Sequence, residues 1–207
     1  MAVPDPLAIA TGNEHKIREI ARICADWPTT WVSVRSDPSM PWPDVEETGT
    51  TYLDNARLKA HATADALGLP AVADDSGIEV DALGGQPGPR SARYAGDRAT
   101  DEDNLRQMIR AIKGVPSSGR SARYRCVAVL AWPDGREAHA EGVFEGLLVT
   151  KPRGDAGFGY DPIFVPAGWD VTVAELTDED KDRISHRGRA FRSLKDVLGS
   201  SESTNRG

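Results

Sequence analysis

Adjacent carboxylates at Asp74 and Asp75, followed by the Ser76 hydroxyl, open a run from Ala73 to Gly96 (ADDSGIEVDALGGQPGPRSARYAG) that also holds a glycine-proline loop and the cations Arg90 and Arg93. That mixture suits a metal ion and a phosphate. Mg²⁺ takes carboxylate oxygens, keeps several waters and bridges substrate phosphates, so one or two acids form half of such a site. A short apolar run, Pro70 to Ala73, predicts a buried strand that delivers the pair to a sheet edge. Successive strand side chains point to opposite faces, so only one of the two carboxylates faces the chemistry. The same DDSG residues also fit a turn, since Asp, Ser and Gly all favour turns.

A second concentration of chemistry is Thr11-Gly12-Asn13-Glu14-His15-Lys16, where a tight turn feeds an expected helix start. Backbone amides and the helix dipole attract anions there, and Lys16 adds a full charge. It is not a Walker A loop, which needs GxxxxGK followed by Ser or Thr. Glu46 and Glu47 lie in a long loop just ahead of a helix expected from Tyr52, which can bring a second carboxylate beside the first. An exposed acidic loop is the alternative. Asn55 and Lys59, four residues apart on one helix face, either reach ligand oxygens together or only solvate the helix.

Phe158 and Tyr160 stand among glycines in Gly157-Phe158-Gly159-Tyr160-Asp161-Pro162. Such a backbone can approach a flat ligand while a ring stacks on it, or it can form a packed loop with a core Phe. Lys181 and the stretch Ser185-His186-Arg187 supply further cations at an expected helix start. His61 and His139 have no evident partners and read as structural. No Ser or Cys nucleophile has a readable partner set, and HExxH, CxxC and GxGxxG motifs are absent, which leaves metal-assisted attack by water.

These residues need elements to hold them. Leu7 to Ala10 reads as a buried strand, and Ile17, Ile20, Ala21 and Cys24 form the apolar stripe of a helix. Trp31 to Arg35 predicts a second strand, followed by a Pro- and acid-rich loop from Ser36 to Gly49. A helix over 52–67, stopped by Gly68, faces Leu53, Ala56, Ala60, Ala64 and Leu67 inward. Strands near 71–74 and 78–83 follow, then a helix over 101–112. The runs 124–132 and 137–149, joined by Pro133-Asp134-Gly135, predict a hairpin. A short strand at 163–165, an acidic helix and a final helix over about 185–198 complete the pattern.

Strands alternating with helices, then a hairpin, predict an α/β fold with a mixed β-sheet flanked by helices, arranged as two lobes with the substrate cleft between them. Residues 1–199 are expected to form one domain of two lobes, and 200–207 a disordered polar tail. The 207 residues, 39% hydrophobic, suffice for a proper core. A formal charge of −7 and a pI near 5.1 argue against a general nucleic-acid binder, so an anionic ligand must meet a local cluster of Lys or Arg. Two distant cysteines, Cys24 and Cys126, read as buried thiols of a reducing compartment. No apolar stretch approaches 18 residues, and no signal peptide is evident, so a cytoplasmic protein without membrane contact is expected.

Five segments in order, TGNEHK, EETGTTYLDNA, ADDSGIEVDALGGQPGPRSARYAG, GFGYDPIF and SHRGRA, closely resemble the inosine triphosphate pyrophosphatase family, and the match runs from about Leu7 to Leu198. Asp54, where Glu is as common, is a mild departure. The resemblance implies an elongated α/β homodimer that uses Mg²⁺ to hydrolyse ITP, dITP and XTP to the monophosphate and pyrophosphate, clearing deaminated purines from the nucleotide pool. Carried onto matching positions, Asp75 binds metal and acts as the base, Lys16 and the other residues from Thr11 hold the phosphates, and Glu46 or Glu47 adds a metal contact. Ser76 touches substrate, Phe158, Gly159, Tyr160 and Asp161 cover the base, and Lys181, His186 and Arg187 complete the pocket. Donors such as Arg187 would then face the 6-carbonyl of hypoxanthine or xanthine and reject adenine's amino group, while guanine's rejection rests on its 2-amino group. Two rival readings are a Maf-like pyrophosphatase of pyrimidine triphosphates and a nucleotide-binding regulator without turnover.

Overall fold

The apolar runs become six strands of one sheet in the computed structural model, which describes residues 2–203. They are β1 (Leu7–Ile9), β2 (Trp31–Val32), β3 (Ala71–Val80), β4 (Ser121–Ala131), β5 (Glu137–Leu148) and β6 (Phe164–Pro166), ordered β2-β1-β3-β4-β5-β6. β1 runs parallel to both β2 and β3, whereas β6 is antiparallel to β5. The expected mixed sheet is therefore present, flanked by α1 (Glu14–Ile23), α2 (Tyr52–Leu67), α3 (Asp101–Ile112), α4 (Asp178–Ile184) and α5 (His186–Ser203). β4 and β5 form the expected hairpin, closed where the Trp132 N–H donates to the Arg136 carbonyl at 2.9 Å.

The chain divides into two compact units. The first takes the chain up to Asp75, Cys126–Gly142, and the chain from Arg187 onward; the second takes Ser76–Arg125 and Val143–His186. In the first unit β1, the first half of β3 and the second half of β4 are buried on both faces. Leu7, Ile9 and Val72 pack with Ile17 and Ile20 of α1 and with Phe191 and Leu194 of α5. The alternate residues Ala8, Ala71 and Ala73 pack instead with Ala56, Ala60 and Ala64 of α2, whose small side chains let the helix come close to the sheet. Both ends of α2 are capped, and Gly68 stops it as expected. The Thr51 side chain accepts the Asp54 N–H, and Gly68 takes the left-handed conformation at φ 65°. The second unit centres on Ile78, Val80, Met108, Ile112, Phe144, Ile163 and Phe164. A reciprocal Thr100–Asp103 capping box starts its helix α3.

Three expectations are corrected. β2 stops at Val32 because Ser33 to Asp37 closes into a turn, with the Asp37 N–H on the Ser33 carbonyl at 2.9 Å and the Ser33 N–H on the Ser36 hydroxyl at 2.8 Å. The predicted break after residue 74 does not occur. β3 runs unbroken through Asp74, Asp75 and Ser76, so the acids lie in mid-strand rather than at a sheet edge, and the turn reading of DDSG falls. Gly77 allows this, since a Cβ there would come within 2.2 Å of the Gly88 carbonyl oxygen and 2.5 Å of the Ser91 hydroxyl. Finally, α5 continues to Ser203, past the expected end at Leu198; the remainder of the predicted tail, 204–207, lies outside the described residues.

Candidate active site

Period-two geometry sends the two adjacent acids of β3 to opposite faces, as the sequence predicts. Asp74 shares its face with Val72 and meets α1 and α5, whereas Asp75 shares its face with Ala71 and Ala73 and meets α2.

On the α2 face, the Asn55 amide donates to Asp75 Oδ2 at 3.2 Å while its own Oδ1 accepts the Gly49 N–H at 2.8 Å. A Cβ at Gly49 would strike that Oδ1 at 2.6 Å, so this loop position accepts only glycine without a shift. One turn further along α2, Lys59 Nζ reaches Asp75 Oδ1 at 3.4 Å and Glu47 Oε1 at 2.8 Å. Two carboxylates therefore converge on one ammonium. Glu46, by contrast, is exposed. Burial lifts the Asp75 carboxyl above its ordinary range, and the neighbouring Glu47 adds to this against the pull of Lys59 and Lys16. Burial alone would weaken the Lys59 ammonium, but Asp75, Asp74 and Glu47 together keep it cationic. The neighbourhood of Asp75 thus suits a group that changes its proton.

On the opposite face, Asp74 is surrounded by cations. Arg187 places Nη2 at 3.0 Å and Nε at 3.3 Å from Asp74 Oδ2, and Lys16 Nζ lies 3.1 Å from the same oxygen. Arg187 Nη1 donates to Glu19 Oε2 of α1. Burial pushes the Asp74 carboxyl up, yet Arg187, Lys16 and Lys59 outweigh it and hold the group far below the carboxylate range. Asp74 is accordingly a fixed anion, and Asp75 is the acid with latitude. Cys126, 3.7 Å from Asp74 Oδ2, is a buried thiol raised by burial, and Cys24 is buried too; neither forms a disulfide.

The start of α1 departs from expectation in one respect. Asn13 is the N-cap, and its Oδ1 accepts the His15 N–H at 2.9 Å and the Lys16 N–H at 3.2 Å. Those two amides are already occupied, and the Lys16 ammonium lies 3.1 Å from Asp74 Oδ2 with one end open to solvent. Thr11 Oγ1 accepts the Asn13 N–H at 3.1 Å, and Glu14 pairs with Arg18 and Arg35. Gly12 lies between Thr11 and Asn13 in this turn.

The second unit holds the other predicted group. Asp161 is buried, and its Oδ2 accepts the Phe158 N–H at 3.0 Å and Lys181 Nζ at 2.7 Å while Oδ1 accepts the Tyr124 hydroxyl at 3.2 Å. Gly157 has φ 75°, and a Cβ on it would come within 2.2 Å of Asp161 Oδ2. The glycines thus serve the loop's closure on its own carboxylate. Lys181 Nζ also sits 4.9 Å from the centroid of the half-buried Phe158 ring, and the Gly159 N–H donates to Asp101 Oδ2 at 3.2 Å. Tyr160 is a core residue whose hydroxyl donates to the Ser91 carbonyl at 2.7 Å, so of the two aromatics it is Phe158 that is partly open. Ser76 is half-buried on β3, and the His186 ring stacks on Tyr124 at 4.7 Å and 9°.

Several expectations change here. Lys181 lies within α4, not at a helix start, and is paired with Asp161. Arg187, expected among the donors facing a base, is 1% exposed and directs its guanidinium at Asp74 and Glu19. His61 has a partner after all, Glu137 Oε2 at 3.0 Å, with Arg57 on the same carboxylate, and His139 Nδ1 lies 3.8 Å from it. Asn55 and Lys59 emerge as holders of Asp75, their i, i+4 spacing being the signal that pointed to them. Glu19 gave no signal, since it lies opposite the expected stripe; the helix is turned so that Glu19 is buried and Ala21, expected in the stripe, is exposed.

Two carboxylates on separate elements, a cationic lysine between them and a second lysine at a helix start form a set of hard oxygen donors and ammonium groups, the chemistry that phosphate and a divalent cation share. Known proteins are similar to this chain over nearly its whole length. A dITP/XTP pyrophosphatase of Streptomyces coelicolor is 50% identical over 192 residues, 93% of this chain and 96% of its own. One of Geobacter sulfurreducens is 46% identical over 193 residues, again 93% of this chain and 96% of its own. Among solved structures, the Staphylococcus aureus Ham1 protein superimposes with a TM-score of 0.81 at 38% identity, covering 95% of this chain and all of that one. A nucleoside-triphosphatase / dITP/XTP pyrophosphatase from Mycobacterium abscessus gives 0.73 at 39% identity, covering 91% and 98%. The Ham1 family model matches residues 7–197, from the first strand through most of the last helix. With its fold and nearly its whole length in common with these proteins, and matched by the family model over residues 7–197, the chain belongs to the Ham1 family.

Proposed function

We infer that the chain is a nucleoside triphosphate pyrophosphatase that hydrolyses deaminated purine nucleotides, ITP, dITP and XTP, to the monophosphate and pyrophosphate. The observation that carries this is Asp75, a buried, proton-responsive carboxylate held by Asn55 and Lys59, in a chain half identical to a dITP/XTP pyrophosphatase.

In this reading ionised Asp75 takes a proton from a water as its oxygen bonds to the α-phosphorus. The bond from the α-phosphorus to the bridging oxygen breaks, and pyrophosphate leaves with the electron pair. Asn55 and Lys59 aim the carboxylate and keep its charge partly compensated. Lys16 neutralises the phosphates, assisted by the turn from Thr11 to His15, and Ser76 touches substrate. Asp75 and Glu47 are the residues that would hold Mg²⁺, and Glu47 is preferred to the exposed Glu46 because it reaches the same ammonium as Asp75. Two protein carboxylates match the hard, water-retaining coordination of Mg²⁺. When bound, the ion would offset charge on the phosphate oxygens.

Phe158 stacks on the purine. Gly159, Tyr160 and Asp161 hold the loop that carries it, Lys181 ties that loop to α4, and His186 packs behind it on Tyr124. Arg187 holds Asp74 and Glu19 in place. Residues 1–199 form the catalytic domain, in keeping with a family match over 7–197, and the active form is a homodimer. Buried free thiols at Cys24 and Cys126 fit a cytoplasmic setting. Among the described residues no helix is long and apolar enough to cross a membrane.

The decisive experiment is pyrophosphate release from ITP, dITP, XTP, GTP, ATP and dTTP with Mg²⁺, with and without chelator. Chelator-sensitive release from ITP, dITP and XTP, with little from GTP and ATP, is expected. Preference for dTTP would transfer the phosphate chemistry to a pyrimidine enzyme, and binding of ITP without turnover would make the chain a regulator.

A further inference from the structure

We propose that the cavity between α3 and the loop ahead of it binds a small phosphate-bearing anion on Arg98, Arg106 and Arg110, at a site that shares no residue with the catalytic cluster. The whole cavity belongs to the second unit, and the inference does not depend on the assigned reaction.

The cavity measures about 440 Å³, with an apolar wall at Ala95 and Ala99 and with Arg98, Asp103, Arg106 and Arg110 around it. That volume lies within the roughly 300–1,000 Å³ of small-molecule pockets. The wall is braced. Asn104 of α3 is buried; its Oδ1 accepts the Ala95 N–H at 2.8 Å and its amide donates to the Ala92 carbonyl at 2.9 Å, which pins the loop to the helix. The Ala99 N–H closes the loop on the Gly96 carbonyl at 3.0 Å. A ligand entering such a cavity does not have to order it first.

Three guanidiniums face a single carboxylate there, in a chain whose formal charge is −7. That carboxylate is committed elsewhere, because Asp103 Oδ2 accepts the Thr100 N–H at 3.0 Å and the Thr100 hydroxyl at 2.7 Å. Glu102 pairs with Arg106, and Gln107 Oε1 accepts one Arg110 N–H at 2.8 Å. Arg98 has neither a hydrogen bond nor an ion pair among the described residues. Arg106 and Arg110 stand four apart on one face of α3, a spacing at which like charges repel, and Arg98 adds a third cation from the loop. Each guanidinium is a planar fork of five N–H donors that matches phosphate oxygens, and most of these donors are unused. A phosphate-bearing anion turns the mutual repulsion of the three cations into attraction to a common partner. Three cations around a cavity of this size suit a small ion rather than a nucleic-acid backbone.

Arginine modification by phenylglyoxal, read by peptide mass spectrometry on the full chain without metal, tests this and needs no turnover. Inorganic pyrophosphate should slow modification of Arg98 and Arg110 about fivefold or more, with Arg136 of the hairpin turn unchanged as internal reference. Sodium chloride at matched ionic strength should slow them less than about twofold. Separate arms with orthophosphate and with dIMP name the source of the phosphate: stronger protection by the inorganic ions or by the nucleotide supports the site in either case. In Lys16→Met, which alters the catalytic cluster alone, the pyrophosphate concentration for half-protection should stay within about twofold. The double substitution Arg98→Gln, Arg110→Gln should raise that concentration about tenfold, read at Arg106, and leave kcat and KM for dITP unchanged when no anion is added. Equal protection by chloride, equal slowing at Arg136, or protection that disappears in Lys16→Met overturns the proposal. Should the doubly substituted chain fail to fold by near-UV circular dichroism, the unaltered chain and Lys16→Met still decide it. Absence of dITP turnover would defeat the assigned reaction and leave this test intact.

Discussion

The first unit gathers four acids, Glu19, Glu47, Asp74 and Asp75, around three cations, Lys16, Lys59 and Arg187. In the second unit a single acid, Asp161, takes one cation, one hydroxyl and one amide. In the first, partners are shared. Lys59 serves two carboxylates, Asp74 Oδ2 serves two cations, and Asp75 titrates above its usual range. In the second the bonds converge on Asp161, and those from the Phe158 N–H and Lys181 hold the loop that presents Phe158. A cluster of shared contacts can exchange them for a phosphate or a metal ion at small cost, because what it loses on one side it recovers on the other. A saturated buried carboxylate cannot, since each broken bond strands a buried polar group. The same residue types thus do opposite work, reaction in one unit and rigidity in the other.

Substitutions can break this contrast. Asp75→Asn should retain the fold and lower kcat on the order of 10⁴-fold, because base and charge go together; pyrophosphate release with dITP measures it. A variant active to within a few-fold of the unaltered chain would leave the first cluster structural. Asp161→Ala should act in the opposite sense. It leaves Lys181 buried without its carboxylate and should destabilise the protein by about 3–5 kcal/mol, read as a lower midpoint in urea, with kcat per folded molecule much less affected. Were the stability unchanged and kcat lost, Asp161 would belong with the reacting groups.

Finer changes sharpen it. Gly157→Ala places a Cβ against Asp161 Oδ2 at a left-handed φ and should cost about 1–3 kcal/mol. Through Phe158 it should raise KM for dITP while kcat holds. Lys59→Met should lower kcat at neutral pH about tenfold, or 1.4 kcal/mol. Its clearer mark is the pH profile. Asp75 works ionised, so activity falls as the pH drops through its raised pKa; removing the nearby cation raises that pKa further, and the acid limb should move to higher pH. A limb that stays in place would mean that Lys59 does not act through Asp75.

Legibility followed the length scale of each contact. α2 is readable to its last residue because the alanine stripe and Gly68 are local signals, and the hairpin at Pro133 to Gly135 is readable for the same reason. β3 was misjudged, since Asp-Asp-Ser-Gly favours a turn locally and only distant cations make the buried acids tolerable in mid-strand. Likewise the glycines around Phe158 pointed to a close approach, but whether to a ligand or to Asp161 depended on the fold.

The sequence alone determined most of the elements and the opposite facing of Asp74 and Asp75, because periodicity and end signals act over a few residues, while its motifs marked a phosphate-handling pyrophosphatase through their resemblance to a known family. Only the tertiary structure decided which acid is locked and which can titrate. Asp74 meets an arginine 113 residues away, and that arginine meets a glutamate 168 residues away. Glu47, not Glu46, joins Asp75 because α2 lies along β3 and brings Lys59 between them. Burial and the distances between charges set a carboxylate's proton affinity, and both arise only when remote segments pack together.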